Sequence, residues 1–99
     1  MLTKESILKY LKSIKPKLQK DGIEKIGLFG SFAKDQADLY SDIDIAIQTS
    51  EKFTKKFRGI KAFLYLEDLK KSINQKLHRK IDICDESGLK DKLKEVIYV

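Results

Sequence analysis

The chain opens on a run in which Ile7, Leu8, Leu11, Ile14 and Leu18 recur at helical spacing, with Thr3 placed to cap the helix they predict. Pro16 falls inside that pattern and should kink or restart the helix, because its ring removes one backbone bond. Asp21-Gly22 then ends it with a turn. Ile23 to Phe29 is a short apolar run and reads as a first strand, in which Gly27 implies close backbone approach. Ser31 to about Lys34 predicts a short helix, and Asp38 to Tyr40 a loop. From Ser41 to Gln48 the period changes to two: Ile43, Ile45 and Ile47 point one way, and Asp42, Asp44 and Ala46 the other.

Thr49 to Thr54 reads as polar loop. Phe57, Ile60, Leu64, Ile73 and Leu77 then mark a long amphipathic helix, its apolar face widened by Phe63, Leu66 and Leu69. Lys80 to Cys84 is a third strand, with Ile81 and Ile83 on one face and Asp82 and Cys84 on the other. From Leu89, with Leu93, Val96 and Ile97, the pattern suggests a final helix, although Val96 to Val99 also suits an extended segment. The order predicts an α/β (α+β) two-layer domain, a small sheet flanked by helices. With 99 residues, the whole of 1–99 is expected to form one domain.

Two of these strands carry carboxylates between isoleucines. Asp42 and Asp44 share a face, roughly 7 Å apart at the backbone, two rises of ~3.3 Å. If the third strand neighbours the second, Asp82 joins them. Three close anions repel one another, and a divalent cation relieves the repulsion. Oxygen ligands without a histidine or thiol cluster favour Mg²⁺ or Mn²⁺ over zinc. Upstream, Gly30 allows close backbone approach at a strand end, and Ser31 opens a helix whose free N–H groups suit a phosphate. The combined reading is a nucleoside triphosphate gripped at Gly30-Ser31 and bridged by metal to Asp42 and Asp44. Each part has a plainer reading. An Asp-x-Asp is commonly the wet face of a half-exposed strand, and a Gly-Ser turn an ordinary cap. No Walker loop and no G-x-G-x-x-G is present.

Composition narrows the picture further. Charged residues make up 36% and apolar ones 41%, which excludes a disordered chain. The apolar runs are too short to span a membrane. The lysine-studded N-terminus is unlike a signal peptide, and Cys84 stands alone, so the expected location is cytoplasmic. Net charge is +6, and it is uneven: residues 1–50 hold 8 lysines against 7 acidic residues, residues 51–99 hold 13 basic against 8 acidic. Lys52, Lys55, Lys56, Arg58 and Lys61 form the densest basic stretch, suited to phosphate, nucleic acid or an acidic protein, or to solvent alone. His78, beside Arg79 and Lys80, reads as a solvated residue at a helix end, and Cys84 as a small buried hydrophobe near the acidic site. Tyr40 is close enough to the acidic pair to touch a ligand.

Gly30-Ser31, ten residues, Asp42-Ile43-Asp44, and Asp82 within KIDICDE together resemble the minimal nucleotidyltransferases of the DNA polymerase β superfamily. IGLFGSFAK is similar to that family's strand–turn–helix and YSDIDIAI to its catalytic strand, and the likeness covers nearly the whole chain. The resemblance implies the nucleotidyltransferase fold, with a mixed sheet of three to four strands. It implies two Mg²⁺ ions on Asp42 and Asp44, and Asp82 as a further ligand that helps deprotonate the attacking hydroxyl. The nucleotide-binding set it implies is Gly30, Ser31, Lys34 and Ser41. The implied reaction moves a nucleoside monophosphate from ATP to a hydroxyl, releasing pyrophosphate. Many minimal members are antitoxins of HEPN-type ribonuclease toxins, and some adenylylate a toxin tyrosine. Lys34 and Asp35 stand where the family often has arginine and glycine. Two rival readings remain: an antitoxin that acts by contact alone, and a small basic RNA-binding module, which lacks aromatics interleaved on a basic strand face.

Overall fold

The computed structural model describes residues 2–88 and 95–99. Helix α1 (Lys4–Lys20) begins at a reciprocal cap: the Ser6 N–H donates to the Thr3 hydroxyl, and the Thr3 N–H to the Ser6 hydroxyl. Its inner stripe, Ile7, Leu11 and Leu18, is buried. The helix runs through Pro16 without a break. Pro16 and Lys12, whose carbonyl loses its partner, are both exposed, so the freed group faces solvent rather than the core.

Strand β1 (Ile23–Phe29) follows, then the single turn α2 (Gly30–Ala33) and strand β2 (Ile43–Thr49). The expected loop after β2 is instead a short helix, α3 (Glu51–Lys56), held because its one large apolar residue, Phe53, is buried. Helix α4 (Ile60–Leu77) and strand β3 (Ile81–Asp85) come next, then a 3₁₀ turn (Glu86–Gly88). The expected C-terminal helix falls partly on residues 89–94, outside those described. Its later residues are extended: Ile97–Tyr98 form an edge strand, β4. Gly27 explains why: a Cβ there would lie 2.6 Å from the Ile97 carbonyl oxygen, so β4 seats only against a glycine.

The sheet order is β3-β2-β1-β4, with β1 antiparallel to β2 and β4, and β2 parallel to β3. One face carries the core. Ile26 and Leu28 of β1, Ile43, Ile45 and Ile47 of β2, and Ile81 of β3 pack with Ile7 and Leu11 of α1 and Ile73 of α4. This is the predicted two-layer arrangement, a four-stranded mixed sheet with helices. Helix α4 departs from expectation at its start. Its inner stripe is Ala62, Tyr65, Leu66, Leu69, Ile73 and Leu77. Ile60, Phe63 and Leu64 fall on the opposite arc and are exposed, and Phe57 lies before the helix, ending α3. Among the described residues, no helix is long and apolar enough to cross a membrane.

Candidate active site

Asp44 and Asp82 are register partners across the parallel β2–β3 pair, so their side chains leave the sheet on the same face, opposite the isoleucine core. Asp42 lies one residue before β2, not within it as the alternation suggested. The strand ladder begins at Ile43, whose N–H donates to the Lys80 carbonyl at 2.9 Å. The acidic trio is nevertheless one electrostatic unit. Burial first, then the charges of Asp82 and Asp42, push the Asp44 carboxyl above its usual value.

The Gly30-Ser31 turn closes on the same point. Phe29 is the register partner of Asp44 on the β1 side, which brings the end of β1 beside that carboxylate. Gly30 has φ +75°, and a Cβ built on it would sit 2.2 Å from Asp44 Oδ2. The space an ordinary side chain would occupy is filled by the carboxylate, so glycine is required twice over, for conformation and for room. The Ser31 hydroxyl makes no hydrogen bond to another described residue.

The remaining predicted residues have other engagements. The Ser41 hydroxyl accepts from the Asp38 N–H at 2.9 Å and donates to Asp38 Oδ1 at 3.2 Å. Lys34 caps the end of α2, with its ammonium 3.6 Å from Glu95. Asp35 has φ +57° and pairs with Lys4 at 2.9 Å. Its backbone explains the glycine the family often has there, since left-handed φ favours glycine. Its carboxylate is turned toward α1, where it raises the Lys4 pKa by its hydrogen bond and its charge. Cys84 is half-buried, and burial, then Glu86 and Asp85, push its thiol up, away from reactivity. Tyr40 and Leu39 project from the loop just before Asp42 and are largely exposed.

Sequence reasoning missed Arg79. It lies half-buried between β3 and the loop before Asp42, with its guanidinium 5.4 Å from the centre of the Phe32 ring. In the sequence it belongs to a charged HRK string and carries no signal beyond standing three positions before Asp82.

Among the described residues, no group of three or more His, Cys, Asp or Glu side chains is arranged so that it could hold a metal ion. By its chemistry alone the donor set suits a divalent cation: the three carboxylates are hard oxygen donors, and Asp44 is raised by burial and then by its like-charged neighbours, a charge condition a cation would relieve.

Residues 12–98 match the polymerase beta nucleotidyltransferase family. The chain belongs to that family and is a nucleotidyltransferase, an enzyme acting on a nucleotide substrate. A relative, a protein adenylyltransferase MntA of Thermococcus cleftensis (strain DSM 27260 / KACC 17922 / CL1), is 31% identical over 105 aligned residues, which span all of this chain and 98% of the relative.

Proposed function

We propose that the protein transfers AMP from ATP to a hydroxyl on a partner protein, with a tyrosine of a HEPN-type toxin as the expected acceptor, and so acts as an antitoxin in the cytoplasm. The observation carrying this reading is the in-register Asp44–Asp82 pair facing the Gly30-Ser31 turn. A full-length relative named as a protein adenylyltransferase adds support for the acceptor class.

Asp42, Asp44 and Asp82 would hold Mg²⁺, two ions in the full site. Metal bound there supplies charge neutralisation for the triphosphate and for the attacking oxygen. Ser31 and the backbone of the turn receive the triphosphate, and Gly30 leaves room for Asp44. The acceptor oxygen attacks the α-phosphorus as the bond to the β-phosphate oxygen breaks. Pyrophosphate leaves, and Asp82, the most open of the trio, takes the acceptor's proton.

The test uses the purified chain, the protein that copurifies with it, ATP and Mg²⁺. The expected outcome is one AMP added to the partner, lost by at least ~100-fold in Asp42→Asn/Asp44→Asn. If that double variant neutralises the partner as well as wild type and no mass is added, the contact-only antitoxin is correct instead. Salt-dependent RNA binding without transfer would favour the RNA-binding module.

A further inference from the structure

Asp42 has no strand ladder to hold it, yet it must stand beside Asp44. The peptide before it is fixed by Arg79, whose Nη1 donates to the Ser41 carbonyl at 2.8 Å and to the Asp38 carbonyl at 3.1 Å. The peptide after it is fixed by the next residue, since the Ile43 N–H donates to the Lys80 carbonyl at 2.9 Å. Because each peptide unit is planar, fixing both flanking units fixes the direction of the Asp42 side-chain bond. The dipeptide Arg79-Lys80 therefore brackets Asp42 from both sides, and it leads directly into β3 and Asp82.

Arg79 is itself anchored. Its guanidinium lies over the ring of Phe32, the buried residue of the turn that begins at Gly30, and its own carbonyl accepts from Asn74 Nδ2 at 2.7 Å. The Asp38–Ser41 turn is also closed from within. Asp38 Oδ1 accepts from the Tyr40 N–H at 2.8 Å, and the Ser41 N–H donates to the Asp38 carbonyl at 3.3 Å. One side chain thus ties the Gly30 turn to the Asp42 loop, and its backbone leads into the Asp82 strand.

The geometry points to Arg79 as the positioning residue of the acidic site: it sets the direction of Asp42 and so the capacity of the trio to hold a divalent cation. This rests on the nucleotidyl-transfer reading of the same site. Lysine is an incomplete substitute: its ammonium can donate to the carbonyls as Nη1 does, but it has no planar guanidinium to lie over the Phe32 ring.

Mn²⁺ alone, titrated into the full chain and followed by water-proton relaxation, tests it without any turnover. Arg79→Ala should weaken Mn²⁺ binding on the order of 10-fold, with Arg79→Lys in between. Asp38→Ala, which loosens the same turn from its other side, should weaken binding in the same direction, and the double variant should fall short of the summed effects. Circular dichroism at the assay temperature shows that each variant is folded, so a loss of stability alone would leave Mn²⁺ affinity unmoved. If Arg79→Ala does not fold, Arg79→Lys and Asp38→Ala decide the matter. Folded variants that bind Mn²⁺ within twofold of a binding wild type overturn the role of Arg79 and leave the transfer reading standing. A wild-type chain that binds no Mn²⁺ overturns both.

Discussion

Asp44 is the most constrained of the acidic residues. It is wedged against Gly30 on one side and paired with Asp82 on the other, with Asp42 close by. Burial and two like charges raise its pKa, which fixes the sign of its effect on stability. The folded protein holds the proton more tightly than the unfolded chain, so the benefit is full below the unfolded value, ~3.9. It is lost as pH rises through the folded value. At pH 7, without metal, Asp44→Asn should therefore be the more stable protein, by roughly 0.5–1 kcal/mol, kept small because the carboxylate is only partly buried. The gap should close below about pH 4, where wild type is protonated as well. On the proposed reading, saturating Mg²⁺ should reverse it, because wild type would bind the ion better than the variant. Urea unfolding at both pH values, with and without Mg²⁺, measures all three. An asparagine variant less stable than metal-free wild type at pH 7 would sink this account.

Among the elements, α1 contains the clearest conflict between local chemistry and tertiary packing. Pro16 sits on the exposed arc while Ile7, Leu11 and Leu18 are buried on the other, and burial of that stripe holds the helix together. Replacing Pro16 with alanine restores a backbone bond and removes no buried contact. Some gain is offset by the freer unfolded chain, leaving a net stabilisation of about 1–2 kcal/mol. A shift of the urea midpoint to higher concentration with an unchanged slope is the expected readout. The same contrast explains what the sequence made legible. Strand β1 follows from a short apolar run, and the isoleucine faces of β2 and β3, with Asp44 and Asp82 opposite, follow from a period of two. Helix α3 was hidden because a single buried phenylalanine, Phe53, leaves no periodicity to read. The outward turn of Ile60, Phe63 and Leu64 was hidden because apolar residues on both arcs of α4 look like one wide face. Gly30, Ser31, Asp42, Asp44 and Asp82 could be picked out because each breaks a local pattern. Arg79 breaks none, and its hydrogen bonds go to carbonyls about forty positions upstream.

Over the whole molecule, the densest basic stretch and the acidic trio lie at opposite ends of β2. The acidic trio gathers at its first residues, while Lys52, Lys55 and Lys56 lie on α3 beyond its last, followed by Arg58 and Lys61. Seven residues of strand place the two groups ~20 Å apart, about two Debye lengths at 0.1 M salt. Lys55 and Lys56 pair with Glu51 and Asp21, whereas Lys52, Arg58 and Lys61 form no ion pair among the described residues. The basic stretch is thus too distant to bind the phosphates of a nucleotide held at Gly30-Ser31. Replacing Lys52, Arg58 and Lys61 with glutamine should change ATP affinity by less than about twofold at 0.1 M salt, as measured by calorimetry. A tenfold loss would mean that the triphosphate lies at the other end of the sheet.

The parallel pairing of Asp44 with Asp82 also has a consequence in time. The two carboxylates meet only when β3 docks on β2, a contact between distant parts of the chain, with α3 and α4 between them. Such non-local pairing is slow compared with helix formation. A chain emerging from the ribosome would therefore present Asp42, Asp44 and the glycine turn first, as half a site, and would gain the other half only once β3 had been synthesised and docked. On the proposed reading, a cation could be held only once the sheet is complete, so that chemistry would begin only in a chain that has finished folding.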